Sequence, residues 1–224
     1  MQKKQMVFFF IGGLKMKNSS NIAKYKRLAP LYDQLMGNRL FRKARKQAFS
    51  EIDIKDGDSL LLVGVGTGED FPFLPNPNQV IGIDLSEDML KIAETKTKGR
   101  NITLMQMNAE HMDFQNQMFN VIVLNLILSV VEHPEKVLEK SLKYLSPGGT
   151  LLIFDKFIEP DKKPNALRKM LNKITSAIGT DINRDFNKMK MGLPIEIQKK
   201  YQTLNGLYTV IVARESHTAN HISI

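Results

Sequence analysis

Leu62-Val63-Gly64-Val65-Gly66-Thr67-Gly68-Glu69 continues the apolar run Ser59-Leu60-Leu61-Leu62-Val63. The run reads as a buried strand. The glycines behind it let the backbone turn tightly and approach a ligand at the carboxyl edge of a sheet. The next apolar run, Gln79-Val80-Ile81-Gly82-Ile83-Asp84, closes on an acid 20 residues after Gly64. At that separation a carboxylate can reach both hydroxyls of an adenosine ribose.

Working outward, strand and helix signals alternate. Ser86 caps a helix with Glu87 and Asp88 in its first turn, where the macrodipole favours negative charge. Asn101–Gln106 and Phe119–Leu124 read as the third and fourth strands, Pro134–Leu145 as a helix, Ser146–Gly149 as a turn and Thr150–Phe154 as the fifth strand. Continuous apolar strands separated by helices imply a parallel sheet covered on both faces. Asn205-Gly206, between two strand-like runs, marks a hairpin whose second run, Leu207–Val212, must pair antiparallel. Before the first strand, Asn21–Phe49 is helical in pattern. Leu35, Met36, Leu40, Ala44 and Ala48 recur at helix spacing, Arg39, Arg42, Lys43, Arg45 and Lys46 fill the remainder, and Gly37 separates two pieces.

The chain has 224 residues, enough for one α/β core, and no cysteine. Disulfides, thiolate metal sites and cysteine nucleophiles are thereby excluded, and no metal is expected. The net charge of +9 is unevenly spread. Residues 1–48 hold 12 Lys/Arg against 1 Asp, residues 49–155 hold 8 against 16 acids, and residues 156–224 hold 12 against 6. An acidic middle is flanked by two basic segments. They are either ordinary solvated surface or one face that meets an anionic partner. The apolar run Met6–Ile11 is too short to span a bilayer and no small-residue cleavage site follows it. Residues 1–20 are expected to be disordered or a start-site extension, with Met16 as the alternative initiator. The remainder, 21–224, reads as one domain with a helical cap at 21–50 and a polar, basic insertion at 156–194.

A dinucleotide fingerprint would place its third glycine where this chain has Glu69, so that a helix can pack close and receive a pyrophosphate. Glu69 and Asp70 would repel phosphate there. A phosphate-free adenosine carrying a sulfonium meets no such conflict.

Leu62-Val63-Gly64-Val65-Gly66-Thr67-Gly68, Ile81-Gly82-Ile83-Asp84-Leu85-Ser86, Asn108-Ala109-Glu110 and Leu145-Ser146-Pro147-Gly148-Gly149 resemble, in order, the blocks of class I S-adenosylmethionine (SAM)-dependent methyltransferases. Within them the chain is similar to the branch of the ubiquinone/menaquinone C-methyltransferases and bacterial phosphatidylethanolamine N-methyltransferases. Tyr32–Gly37 and Leu126–Val131 lean toward the phospholipid side. The resemblance spans roughly Ile22–Phe157 and the last hairpin. It implies a Rossmann-like α/β domain with a mostly parallel seven-stranded sheet and a C-terminal antiparallel hairpin, and SAM as cofactor.

The resemblance also implies roles. Gly64, Val65, Gly66 and Gly68 line the methionine portion. Asp84 holds the ribose hydroxyls, with Leu85 and Met89 beside the adenine. Asn108 and Ala109 read the adenine edge, and Asn125 and Leu126 face the amino-acid end. Tyr32 closes over the site from the N-terminal helix. Two positions depart from the family pattern: Leu62, where many members carry an acid, and Asn108, where many carry Asp.

Methyl transfer asks the protein to align a nucleophile and exclude water. His133 reads as a solvated residue starting a helix, and His111 lies in a loop, so no catalytic base is assigned. The acceptor is expected to be a small molecule or lipid, with the amine of phosphatidylethanolamine foremost. A quinone precursor, a small thiol or amine, and a non-enzymatic SAM-binding role stay open. Nucleic acid is disfavoured, since Asn125-Leu126-Ile127-Leu128 lacks an Asn/Asp-Pro-Pro-aromatic block. The expected location is cytoplasmic. The basic helix Arg39–Ala48 and the segment Lys156–Lys190 are expected to meet the inner face of an anionic membrane.

Overall fold

The computed structural model describes residues 39–75, 79–158 and 183–216. The expected extension at 1–20, the first part of the helical cap, Tyr32 and residues 159–182 of the insertion lie outside the described residues.

In chain order the elements are α1 (Arg39–Phe49), β1 (Ser59–Val63), a 3-10 turn (Phe71–Phe73), β2 (Gln79–Asp84), α2 (Glu87–Glu94), β3 (Ile102–Gln106), a second 3-10 turn (Ala109–His111), β4 (Phe119–Asn125), α3 (Pro134–Tyr144), β5 (Leu145–Asp155), α4 (Phe186–Met189), β6 (Ile195–Thr203) and β7 (Tyr208–Glu215). They build one seven-stranded sheet in the order β3-β2-β1-β4-β5-β7-β6. β1 to β5 are parallel, and β7 pairs antiparallel with both β5 and β6. This is the expected sheet with its C-terminal hairpin.

Strand alternation divides the apolar residues into two layers. Leu61, Val63, Ile83, Ile122, Leu124 and Ile153 pack on α3 through Val137, Leu138 and Leu142. Leu60, Leu62, Val80, Val123, Leu152 and Phe154 face the opposite way, onto Ala44, Ala48 and Phe49 of α1 and Leu90 and Ala93 of α2. Both faces are covered, which is why the strands read as unbroken apolar runs. α2 begins as its sequence requires, with the Ser86 hydroxyl accepting from the Met89 N–H.

Two local expectations are corrected. Ser146–Gly149 does not separate α3 from the fifth strand. β5 starts at Leu145, and the register steps from Phe119↔Leu145 to Val121↔Thr150, so four residues stand opposite Asn120. The turn signal is real, with Gly148 at φ +74°, but it is absorbed as an irregularity within the strand. On α1, Leu40 does not face the core and is 69% exposed. The inward face is Ala44, Arg45, Ala48 and Phe49, so Arg45 is buried while Arg42, Lys43 and Lys46 are exposed.

The described ends of the 156–194 segment are tied into the core. Phe157 and Phe186 are buried with ring centroids 5.3 Å apart. Arg184 donates to the carbonyls of Leu128 and Val131, pinning the loop after β4.

Candidate functional site

The carboxyl ends of the parallel strands bring the glycine loop, Asp84, Asn108 and Asn125 to one edge. The loop extends the ladder: Gly64 and Val65 donate to the Ile83 carbonyl at 2.8 and 2.9 Å. Gly64, Gly66 and Gly68 all have positive φ (+74°, +55° and +82°), a region that side chains with a Cβ rarely adopt.

Asp84 is half-buried at the end of β2. Its carboxylate accepts from the Gly66 N–H and the Ser86 N–H, both at 2.9 Å. Burial pushes its carboxyl above the usual range, and those backbone donors work against that rise. The acid therefore fastens the glycine loop to the start of α2. An ionised carboxylate has about four acceptor positions, so two bonds leave it capacity for ribose hydroxyls.

The residues around the loop divide into open and packed positions. Gly64, Gly66, Leu85 and Asn108 are half-buried at the edge. Val65, Met89, Ala109 and Leu126 are buried, Val65 within the α1-side core. Gly68 is buried as well, and a Cβ there would lie 2.5 Å from the Phe71 ring. Its glycine is required by packing under the loop. Gly68→Ala is therefore expected to cost about 1–3 kcal/mol of stability, read as a lower urea midpoint; an unchanged midpoint would contradict this packing. The Asn108 side-chain oxygen accepts from the Glu110 N–H at 2.9 Å, capping the second 3-10 turn.

Asp70 lies beneath the loop, and sequence reasoning saw it only as a charge that repels phosphate. The structure turns it inward. Arg45 Nε of α1 stands 3.0 Å from Asp70 Oδ1, both side chains nearly inaccessible. Asn125 Nδ2 donates to the two carboxylate oxygens at 2.6 and 2.8 Å. Glu69 in turn pairs with Lys96 at 2.7 Å. Charge repulsion is thus not what disfavours a pyrophosphate here. The stronger reason is architectural: among the described residues between β1 and β2 there is only the 3-10 turn Phe71–Phe73, with no α-helix N-terminus to receive phosphate.

Further along the edge, Glu110 accepts from the N–H groups of Glu132 and His133 at 2.8 and 3.2 Å, and Asp155 accepts from Ser129 and Lys156 at 2.9 and 2.7 Å. Burial raises the Asp155 carboxyl and lowers the neighbouring Lys156 ammonium. His133 is half-buried at the N-cap of α3, its Nδ1 3.3 Å from Glu135. Leu126 adopts φ +58° while donating to the Phe154 carbonyl. A bulky residue held there marks a place where the surrounding structure overrides local preference.

The family described as "Methyltransferase domain" matches residues 61–153. The chain is 32% identical over 160 residues to a phosphatidylethanolamine N-methyltransferase from Cereibacter sphaeroides, covering 69% of this chain and 77% of that protein. It is 32% identical over 145 residues to a demethylmenaquinone methyltransferase from Lactobacillus johnsonii, covering 58% of each. The chain thus spans little more than half of that second relative. Among solved structures it is similar to the N-methyltransferase NodS from Bradyrhizobium japonicum in complex with S-adenosyl-L-homocysteine (SAH). The TM-score is 0.67 at 14% identity, over 87% of this chain and 98% of that one.

Proposed function

Because the chain belongs to the class I SAM-dependent methyltransferases, we propose that it transfers methyl groups to the amine of an ethanolamine phospholipid at an anionic membrane surface. When bound, SAM supplies a methyl on a sulfonium, activated for in-line displacement. Asp84 would hold the ribose through its spare acceptor positions, Gly64 and Gly66 would offer backbone against the methionine portion, and Asn108 and Ala109 would border the adenine. Asn125 and Leu126 would border the amino-acid end.

The observation that carries the acceptor class is a largely apolar groove beside this edge, with Lys43 in its lining and further cations exposed on the same helix. Asp155↔Thr209 pairing places the β6–β7 turn at the carboxyl end of β5. Between that turn and α1 runs a groove of about 580 Å³, lined by Leu40, Phe41, Lys43, Leu204, Leu207 and Tyr208 among others. Leu40 and Leu207 are 69% and 60% exposed, and Arg42 and Lys46 are exposed on the same helix. Apolar side chains beside cations suit an amphiphile with an anionic head. A relative named for phosphatidylethanolamine N-methylation supports this choice. An amine acceptor needs alignment and loss of its proton, whereas a carbon acid needs a dedicated base. The carboxylates described at this edge, Asp70, Asp84, Glu110 and Asp155, already accept from backbone or side-chain donors.

Among the described residues no helix is long and apolar enough to cross a membrane, so docking is proposed as peripheral. Arg45 takes no part, being committed to Asp70. Arg42, Lys43 and Lys46 would each contribute about 1 kcal/mol near an anionic bilayer. Reversing these three to Glu should abolish sedimentation with phosphatidylglycerol-containing vesicles at low salt and leave SAM affinity intact. Native protein remaining in the supernatant at low salt would defeat the membrane reading. The acceptor itself is tested with methyl-labelled SAM and phosphatidylethanolamine vesicles. Label should move to the lipid amine. SAM turnover with a quinone precursor but not with lipid would assign the chain to the quinone branch.

A further inference from the structure

Lys156 follows β5 directly. Strand alternation sends Asp155 toward the α3 side of the sheet, and its two neighbours toward α1. One of them, Phe154, packs in the α1-side layer. Tyr208 stacks on Phe154 with ring centroids 5.3 Å apart, and Phe41 of α1 meets Tyr208 edge-on at 5.2 Å. The Lys156 ammonium lies over the same Tyr208 ring, 5.2 Å from its centroid. Phe41 and Tyr208 both line the groove between α1 and the β6–β7 turn. The ammonium therefore stands at the aromatic wall of that groove. It also stands at the carboxyl edge, because Leu126, the first residue beyond β4, donates to the Phe154 carbonyl.

Lys156 is half-buried, and among the described residues no carboxylate forms an ion pair with its ammonium. The nearby Asp155 carboxylate accepts instead from the backbone N–H groups of Ser129 and Lys156. Burial holds the ammonium below the usual lysine range, with the Asp155 charge opposing that fall. A partly desolvated cation of this kind favours an anion in contact with it. In an ethanolamine phospholipid the phosphodiester lies between the acyl chains and the amine, one two-carbon bridge from the nitrogen. Groove, Lys156 and carboxyl edge follow one another in that same order. We propose that Lys156 receives the phosphodiester of the acceptor lipid and so selects an amine that carries phosphate. The inference rests on the phospholipid acceptor proposed above, and it makes Lys156 a specificity-determining residue. A quinone precursor without a phosphodiester would gain nothing from this contact.

Lys156→Met keeps an apolar stem against Tyr208 and removes the charge, whereas Lys156→Arg keeps the charge. Both are assayed with methyl-labelled SAM on vesicles of phosphatidylethanolamine and phosphatidylglycerol. Lys156→Met should raise the KM for phosphatidylethanolamine by about tenfold or more and change kcat far less. Lys156→Arg should recover most of that loss, since a guanidinium also pairs with phosphate. Sedimentation with the vesicles and affinity for SAH should match native protein, because docking is assigned to Arg42, Lys43 and Lys46. If Lys156→Met no longer binds SAH, Lys156→Gln is read in its place. An unchanged KM, or a loss confined to kcat, would overturn the phosphate role and leave phospholipid methylation standing. Native protein that methylates no phosphatidylethanolamine would overturn the phospholipid reading, and this inference with it.

Discussion

Replacing Arg45 by leucine is expected to lower the unfolding free energy by about 3–5 kcal/mol, the range for removing one partner of a buried ion pair. Both side chains of the pair are nearly inaccessible, 4% and 7% exposed. Among the described residues, the change would leave the enclosed Asp70 side chain with the Asn125 amide as its remaining hydrogen-bond partner. The effect has a definite pH dependence. Burial already raises the Asp70 carboxyl above its ordinary value, and Arg45 opposes that rise. Without Arg45 the folded-state value climbs further above the unfolded one. A carboxyl raised in this way favours the folded state while protonated, and that contribution is lost as pH rises through the folded value. The gap between native protein and Arg45→Leu should therefore widen from pH 5 to pH 8. Urea unfolding at the two pH values measures it. The double variant Arg45→Leu/Asp70→Asn should recover part of the loss, because it removes the stranded charge. A gap that narrows with pH, or no gap, would mean that the pair carries no weight in the fold.

How the sequence foretold this fold, and where it did not, follows from the range of each interaction. β1, β2 and β4 were legible because strands covered on both faces are apolar throughout, and Ser86 was legible because a cap is satisfied within three residues. The Asn205-Gly206 hairpin was also local. The observed turn takes Leu204, Asn205 and Gly206 through successive positive φ values. The start of β5 was hidden because Pro147-Gly148-Gly149 announces a turn, and only the partner strand shows that the ladder resumes around it.

At the site, the family resemblance named candidate residues but not which way each points. Val65, Gly68 and Met89 reach the sheet edge and then pack inward. The pairing of Arg45 with Asp70 joins residues 25 apart in the chain, with no periodicity to announce it. One signal was available. Phe41, Arg45, Ala48 and Phe49 fall on one helical stripe, and a lone cation among apolar residues on such a stripe asks for a buried acid.

Asp84→Ala bears on the proposed cofactor site at its centre. The substitution removes the acceptor proposed for two ribose hydroxyls, each charge-assisted bond contributing about 1.5–3 kcal/mol. It also releases the Gly66 and Ser86 N–H groups that now hold the loop against α2. Asp84 is the edge where β2 meets solvent, half-buried, so the sheet behind it is expected to survive its loss. The measurement that tests the account most directly is titration calorimetry of SAH into native protein and Asp84→Ala, with far-ultraviolet circular dichroism to verify the fold. About a hundredfold or greater weakening is expected in a folded variant. Equal affinity in the two proteins would contradict it and place the cofactor somewhere other than the carboxyl edge around Asp84.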